Sequence, residues 1–439
     1  MNENKKTARE AAFGSLMRTE RDKSYSNIEI DSVIKRFGLA GAEKGLYTNL
    51  VYGVIEHKLT LDYFISLVSL KPLEKLDAEV LTILRMGLYQ LIFLDRIPDS
   101  AAVNESVRLA KAYKPSSASF VNAMLRNFQR RYRKDSLPYP DPTDRMKYLT
   151  VKYSCGGDVV NILEKYGDAE PILKAFSSTP PVTLRVNTLR TSRAGLLALL
   201  SDEGIEVVAT EYAPEGIRLA SLPERVRELI NDGLCFIQDE ASQLAAEALD
   251  PKPGERVLDV CACPGGKSFS AAMKLENRGE IFAYDLHKNK LSLITSGAQR
   301  LGIDIIRVDE RNGAVHCIEL DGTADAIICD VPCSGLGVIA KKPEIRYKPK
   351  ADIESLPKIQ HAILSNSANY LKRGGRICYS TCTLNPEENQ GVVKRFLDEN
   401  TGFEPVEFGF GELKSSGGML TLFPQGGTDG FFISLIKKS

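Results

Sequence analysis

Apolar residues in the first part of the chain recur at intervals of three and four, the spacing that puts side chains on one face of a helix. The pattern is clearest in LYTNLVYGVIEHKLTLDYFISLV, AEVLTILRMGLYQLIFL and ESVRLAKAY. Pro72, Pro98 and Pro115 fall between these segments, where helices are expected to end. The pattern therefore predicts an all-α bundle of about six or seven helices ending near Tyr132.

The composition changes at RNFQRRYRKDSLPYPDP (126–142), where basic residues are followed by three prolines, and we interpret this stretch as a linker. Its cations admit two interpretations: they could contact phosphates, or they could end a solvated helix whose dipole favours positive charge. The cations are Arg126, Arg130, Arg131, Arg133 and Lys134.

After the linker, short alternating runs mix with a helical one. VTLRVNTL (182–189) alternates with the period of a strand, RAGLLALLSDEG (193–204) is typical of a helix, and IEVVATEYAPEGIRLA returns to strands. This order predicts a small α+β domain of the RRM-like kind.

From about Asp239 onward, strand patterns alternate with helical patterns. The strands are ERVLDVCA, GEIFAYDL, IDIIRVD, ADAIICD and GRICYSTCTL, and a helix from Ser355 to Leu371 has Ile359 and Ile363 on its apolar face. Such βαβ units predict a mostly parallel, Rossmann-like α/β sheet that binds ligands beyond the carboxyl ends of its strands. We therefore expect a multidomain chain with domains at 1–134, 143–235 and 236–439.

Composition narrows the function classes only modestly. Lysine plus arginine and aspartate plus glutamate both number 57, so no overall basicity indicates a nucleic acid partner. The nine cysteines include no C-x-x-C pair and the four histidines are scattered, which argues against a metal site. The charged start MNENKKTAREAAFGSLM has no secretory apolar core, and no run suits a membrane span. We expect a cytoplasmic monomer with reduced thiols that binds neither a metal nor a membrane.

The first strand of the sheet leads into VLDVCACPGGKSFSAAM. Pro264, Gly265 and Gly266 form a tight loop and Lys267 opens the next helix, so backbone N–H groups can approach a ligand without interference from a Cβ. The loop lacks G-x-G-x-x-G and the P-loop pattern, which disfavours nicotinamide and nucleotide triphosphate binding. A turn from strand to helix needs glycine in any case, so the loop alone proves little.

Two aspartates extend the picture. Asp285 ends the second strand, where a carboxylate can accept both hydroxyls of a ribose, and Asp309 ends the third, where a side chain could meet an adenine edge. Either aspartate alone is more typical of a helix cap or turn. Three consecutive strands ending in this way favour a cofactor of the adenosine type.

ICDVPCSG (328–335) and CYSTCTLNPEENQ (378–390) follow the fourth and fifth strands and project into the same crevice. They offer Cys333, Cys382 and the acid Asp330. This set suits methylation of cytosine at C5: a thiolate adds to C6, an acid assists at N3, and C5 becomes able to attack a methyl sulfonium. The alternative is that both cysteines are small buried thiols of the sheet.

With these residues in hand, the chain resembles the NOL1/NOP2/Sun family of RNA cytosine-C5 methyltransferases, and within it the RsmB/Sun group that modifies 16S rRNA. The resemblance rests on CACPGGK (261–267), DVPCSGLG (330–337), STCT (380–383), KKPEIRY (341–347), PEENQ (386–390) and GTDGFF (427–432). The sequence departs from the family at Cys263 and Val331, where alanine is usual; neither change removes a reactive group.

The resemblance implies a role for each matched residue. Cys382 is the nucleophile, Cys333 assists release of the methylated base, and Asp330 contacts the cytosine and the cofactor. S-adenosylmethionine is held by Cys261, Ala262, Cys263, Pro264, Gly265, Gly266, Lys267, Asp285, Asp309 and Asp330.

The helical N-terminal part resembles the antitermination factor NusB through AAVNESVRLAKAY (101–113) and SFVNAMLRN (119–127), which implies an RNA-binding bundle. Residues 341–350 add five cations and Tyr347 beside the reactive motif, and could bind RNA by stacking and charge or be a solvated loop.

The sequence thus predicts an S-adenosylmethionine-dependent 16S rRNA cytosine-C5 methyltransferase. Two other hypotheses stay open: an RNA-binding assembly factor with a vestigial catalytic half, and the same chemistry on tRNA or large-subunit rRNA.

Overall fold

The structure is a computed structural model that describes residues 6–22, 27–424 and 427–439. The chain divides into two compact units, Met1–Asn161 and Ile162–Ser439. Of the domain boundaries that we expect, 134 and 143 lie inside the first unit and 235 lies inside the second. The division into three domains at these positions stays a prediction.

The first unit is helical in the part that the structure describes. Its helices are α1 (Ala8–Asp22), α2 (Asn27–Phe37), α3 (Gly41–Glu56), α4 (Lys58–Val68), α5 (Ala78–Phe93), α6 (Asp99–Tyr113), α7 (Ala118–Arg131) and α8 (Arg145–Lys152), and α9 (Gly157–Leu163) follows. Helix α5 is buried along most of its length. Helices α1, α3, α4, α6 and α7 pack around it, because their apolar faces must be removed from water. The predicted all-α bundle is confirmed. Helix α7 ends at Arg131, next to Tyr132, but the helical unit continues through α8.

A four-stranded antiparallel sheet opens the second unit, with strand order β2-β3-β1-β4. Its elements are α10 (Glu170–Phe176), β1 (Val182–Val186), α11 (Arg193–Asp202), β2 (Val208–Ala209), β3 (Gly216–Leu219), α12 (Glu224–Asn231) and β4 (Cys235–Ile237). One face carries a core around Leu184, Leu196 and Ile217. The small α+β domain is confirmed.

An eight-stranded mixed sheet follows, with the order β10-β14-β9-β8-β5-β6-β7 and β13 paired with β14. Its strands are β5 (Arg256–Asp259), β6 (Glu280–Asp285), β7 (Ile306–Glu310), β8 (Ala324–Asp330), β9 (Leu371–Thr381), β10 (Phe403–Pro405), β13 (Met419–Leu422) and β14 (Phe431–Lys438). A separate hairpin consists of β11 (Gly409–Phe410) and β12 (Leu413–Lys414).

The helices of this region are α13 (Glu240–Leu249), α14 (Gly266–Lys274), α15 (Leu291–Leu301), α16 (Lys350–Glu354), α17 (Leu356–Tyr370) and α18 (Gln390–Glu399). Two apolar cores fill the faces of the sheet. None of the described helices is long and apolar enough to cross a membrane.

The five predicted strands, β5 to β9, pair in parallel, so their carboxyl ends share one edge. The chain runs from β5 to β6 and β7 on one side, and continues with β8 and β9 on the other. The strand order therefore reverses between β5 and β8, the place where open α/β sheets bind ligands. The sequence did not predict the antiparallel pairing of β14 with β9, β10 and β13.

One predicted helix face is wrong in part. Ile359 of α17 is 42% exposed, whereas the neighbouring amide Gln360 is fully buried. Gln360 faces inward because its amide donates hydrogen bonds to the Pro332 carbonyl and the Glu388 carboxylate.

Candidate active site

The turn after β5 positions the first candidate group. The chain passes through 261–265 and enters α14 at Gly266. Gly265 has φ +109°, and a Cβ at this position would lie 2.4 Å from the ring of Phe269, so only glycine fits. At Gly266 the nearest atom to an added Cβ is 3.5 Å away, in the Gln238 amide. Because neither glycine carries a side chain, the N–H groups at the helix N-terminus can face an anionic or polar ligand.

Asp285 and Asp309 follow on the next two strands. The half-buried Asp285 carboxylate accepts the N–H of Cys263 at 3.1 Å and that of His287 at 3.0 Å, which ties β6 to the turn after β5. Asp309 lies one strand further out, is exposed, and accepts the N–H of Glu310 at 2.8 Å. The structure thus brings Asp285 to the 261–267 turn and leaves Asp309 at the outer end of the row.

Lys267 connects this turn to the neighbouring strand. Its buried ammonium donates to Asp330 at 2.7 Å, and the Ser380 hydroxyl donates to the other Asp330 oxygen, also at 2.7 Å. Burial alone would lower the pKa of Lys267, but the charge of Asp330 and this hydrogen bond raise it. The pair fixes the Asp330 carboxylate, whose side chain keeps 31% of its surface exposed.

Cys333 and Cys382 meet at the same edge, and their Sγ atoms are 3.3 Å apart. Both thiols are free. The hydrogen bond from Cys333 lowers the pKa of Cys382, while the pKa of Cys333 is raised well above its ordinary value by the same bond and by burial. The pair therefore has one sulfur suited to be a thiolate and one suited to stay a thiol.

Neighbouring thiols behave differently. Burial raises the pKa of Cys378 to about 12 and raises the pKa of Cys329 and Cys261 well above its ordinary value. These residues serve as small core side chains, as expected for apolar strands. Cys382 differs from them because the hydrogen bond from Cys333 lowers its pKa, although burial acts to raise it.

Glu388 is a site residue that the sequence reasoning missed. Its carboxylate is fully buried and accepts hydrogen bonds from Ser334 N, Gln360 Nε2 and Asn385 Nδ2 at 2.8, 2.9 and 2.9 Å. The available signal was the PEENQ segment at 386–390, which matched the family pattern without an assigned role.

The segment 341–350 is only partly a solvated loop. Lys341 donates to Asp239 at 2.6 Å and to Asp429 at 2.8 Å, and the buried Arg346 donates to the carbonyl of Phe176 at 2.7 Å. Lys348 donates to the carbonyl of Ser334 at 3.1 Å, so these three of the five cations bond within the protein. Lys350 also forms an ion pair with Glu354 at 3.3 Å.

Among the described residues, no group of three or more histidine, cysteine, aspartate or glutamate side chains could hold a metal ion. The site at this edge of the sheet has three parts: the 261–267 turn, the Lys267–Asp330 pair, and the two thiols in contact.

Comparison with known proteins covers almost the whole chain. Residues 6–130 match the NusB family, residues 159–224 match the RsmF/B-like ferredoxin-like domain, and residues 246–437 match the 16S rRNA methyltransferase RsmB/F family.

A probable ribosomal RNA small subunit methyltransferase B from Bacillus subtilis is 38% identical, covering 99% of each chain. Its counterpart from Synechocystis is 35% identical over 99% of this chain and 100% of its own. The crystal structure of PH0851 has the same fold, with a TM-score of 0.81, 23% identity and 98% coverage of both chains. The chain therefore belongs to the RsmB/F family of 16S rRNA methyltransferases, and carries an N-terminal NusB domain and a ferredoxin-like domain before its methyltransferase domain.

Proposed function

We propose that this protein transfers a methyl group from S-adenosylmethionine to C5 of a cytosine in 16S rRNA, through a covalent bond between Cys382 and C6. The observation that carries the proposal is the contact of the Cys333 and Cys382 sulfurs, 3.3 Å apart, beside the Asp330–Lys267 pair. An rRNA substrate places the enzyme in the cytoplasm, where we expect it to act as a monomer.

Cytosine C5 is a weak nucleophile, so the protein must raise its electron density. The Cys382 thiolate adds to C6 because Cys333 stabilises its negative charge by a hydrogen bond. Electron density then moves onto C5 and N3. We assign to the Lys267–Asp330 pair, joined at 2.7 Å, the hydrogen bond or proton that N3 then needs.

Release reverses the addition. After methylation, C5 still carries its proton, and a base must take that proton before the Cys382–C6 bond can break. We assign help in this step to Cys333, because its sulfur contacts that of Cys382. Once Cys382 is bonded to C6, the main cause of the raised pKa of Cys333 is gone, so Cys333 can give its proton to water and then accept the proton from C5.

The residues present fit the methyl donor. The turn at Gly265 and Gly266 presents backbone N–H groups that no side chain of its own covers, and the Asp285 carboxylate next to it suits a ribose. When bound, S-adenosylmethionine supplies an electrophilic methyl group. We propose that 261–267, Asp285, Asp309 and Asp330 hold it.

Two substitutions test the mechanism. In Cys382→Ser, the hydroxyl cannot replace the thiolate, and we expect turnover to fall at least about 10⁴-fold. In Cys333→Ser, attack proceeds but release is blocked, and we expect an RNA–protein adduct that survives denaturing electrophoresis. Methyl transfer is measured with tritium-labelled cofactor on undermethylated 16S rRNA. Cys378→Ala is the buried-thiol control, on the strand that ends just before Cys382. A Cys382→Ser protein with normal turnover would end the proposal.

The match to the NusB family favours a second candidate, an RNA-binding assembly factor that does not use its catalytic half. Such a protein gives no tritium transfer to any RNA. Parallel assays on 16S rRNA, 23S rRNA and tRNA also separate the proposed substrate from the alternatives, and bisulfite sequencing of rRNA from a strain without the gene identifies the cytosine.

A further inference from the structure

We propose that Glu388 is a positioning residue that holds the loop carrying Cys333 against Cys382. The inference rests on the proposed function and names what keeps the two thiols in register. The Glu388 carboxylate does not contact either sulfur and acts through the hydrogen bonds that it accepts.

The hydrogen bonds of this cluster bracket Cys333 on both sides. One Glu388 oxygen accepts the N–H of Ser334, the residue after Cys333, at 2.8 Å. Gln360 donates to the same oxygen and to the carbonyl of Pro332, the residue before Cys333, at 2.9 Å each. The backbone on either side of the thiol is thereby fixed by one buried pair of side chains.

The other Glu388 oxygen binds the second thiol's loop. It accepts from Asn385, three residues beyond Cys382, at 2.9 Å. The Tyr379 hydroxyl donates to the Glu388 carbonyl at 2.6 Å, which fixes Glu388 itself to β9. The carboxylate is therefore the joint between the segments that carry the two sulfurs.

Stability alone does not explain this carboxylate. It is fully buried, and its three donors in the described part of the chain are all uncharged groups. A buried charge without a cation is expensive, and an apolar residue would usually stabilise a core better. Its negative charge also disfavours ionisation of the nearby Cys333, which helps to keep that residue as the hydrogen-bond donor of the pair.

The expected consequence is selective. Without the joint, Cys382 can still attack C6, but Cys333 is no longer held against its sulfur, so release should slow more than attack. We expect Glu388→Gln to lower kcat about tenfold or more while KM for RNA changes less than about twofold. The covalent RNA adduct should accumulate, and alkylation of Cys382 should require a higher pH.

The most specific test is a double variant, Glu388→Gln with Asn385→Asp, which moves the carboxylate from position 388 to position 385. Glutamine at 388 turns one acceptor into an NH₂ group that meets the NH₂ of Asn385. Adding Asn385→Asp moves the carboxylate to the other partner: the new amide donates to it, and the amide oxygen still accepts from Ser334 and Gln360. We expect the double variant to recover to within about threefold of the wild-type rate and to lose the adduct.

The matched control is Glu387→Gln, because Glu387 is the adjacent carboxylate, is 65% exposed in its side chain and pairs with Lys165. We expect this variant to keep the wild-type rate. A Glu388→Gln enzyme that is fully active without adduct, or a double variant as impaired as the single one, would overturn the inference.

If Glu388→Gln does not fold, Gln360→Met carries the test, since it removes the bracket at Pro332 and leaves the carboxylate two donors. If Gln360→Met accumulated no adduct, that result would also overturn the inference. Failure of the proposed function looks different, because Cys333→Ser would then also give no adduct.

Discussion

Two halves of the active site are built in contrasting ways. The cofactor side, residues 261–267 with Asp285, is a turn whose backbone N–H groups make its hydrogen bonds, such as that from Cys263 N to the Asp285 carboxylate. The thiol side, Cys333 and Cys382, is half-buried and is held by hydrogen bonds to the fully buried Glu388 carboxylate.

The difference follows from what each half must do. A cofactor has to enter and leave, so its half must be accessible and can rely on backbone groups that any strand-to-helix turn supplies. Two sulfurs that must exchange roles within one reaction need fixed positions, and buried hydrogen-bonded side chains provide them. Changes on the thiol side should therefore affect chemistry, and changes on the cofactor side should affect binding.

The largest expected effect comes from oxidation, which should break only the thiol side. Because the sulfurs are 3.3 Å apart, diamide should join them in a disulfide, the two thiols losing two electrons and two protons to the reagent. We expect complete loss of methyl transfer, restored by dithiothreitol, with cofactor affinity unchanged by calorimetry.

Peptide mass spectrometry should find the 333–382 disulfide, and Cys378→Ala should remain as sensitive as the wild type. Inactivation with both thiols still free to alkylate would contradict the contact.

The next effect is expected at Lys267, which joins the two sides. Lys267→Met removes the cation from Asp330, and we expect kcat to fall about 10²-fold because the charge aimed at the pyrimidine is lost. Loss of this largely buried pair should also lower the free energy of unfolding by about 2 kcal/mol.

Lys267→Arg is the matched control, and it should keep the stability while recovering only part of the rate. The measurements are single-turnover methyl transfer and urea unfolding. A Lys267→Met rate within threefold of wild type would show that the pair does not take part.

A smaller effect is expected from Asp285→Ala, which tests the cofactor side alone. Loss of the carboxylate should raise the Kd for S-adenosylmethionine about tenfold, whereas kcat at saturating cofactor should stay within about twofold. Calorimetric titration and steady-state kinetics measure the two quantities. A fall in kcat without a change in Kd would reverse the contrast between the two sides.

The smallest effect on activity is expected from the buried acid beneath the turn. Burial raises the pKa of Asp259 to about 7, above its usual value of about 3.9 in an unfolded chain. Between these values the folded protein holds a proton that the unfolded chain has lost, so stability from this group is full at low pH and is lost as the pH rises through 7.

Asp259→Asn removes this titration. From pH 5 to pH 8 the free energy of unfolding should therefore fall by about 3 kcal/mol less in the variant than in the wild type. Urea unfolding of both proteins across this pH range is the measurement. Parallel stability curves would show that Asp259 does not titrate there.

The cofactor side was the easier half to predict from the sequence. Its features are local: a strand, a turn with Gly265 and Gly266, and an aspartate at the end of the next strand. Parallel strands bring their ends together regardless of detail, so the edge shared by Cys333 and Cys382 also followed from the order of elements.

The rest depended on contacts between distant positions. Gln360 reaches Glu388 and Pro332 across the fold, and apolar periodicity placed Ile359 inward instead. The sequence suggested that Lys341 could bind RNA, but its ammonium forms ion pairs with Asp239 and Asp429. Hydrogen-bonded burial of polar groups leaves no periodic trace, so these residues are found only once the strands are in place.

The interior position of β14 has a consequence for synthesis on the ribosome. Phe432 pairs with Thr381, beside Cys382, yet this strand is the latest of the sheet in chain order. The helical unit, rich in local contacts, can fold as it emerges. The methyltransferase domain cannot complete its reactive edge until residues 431–438 have left the exit tunnel, so nascent chains should acquire a folded bundle well before they acquire paired thiols.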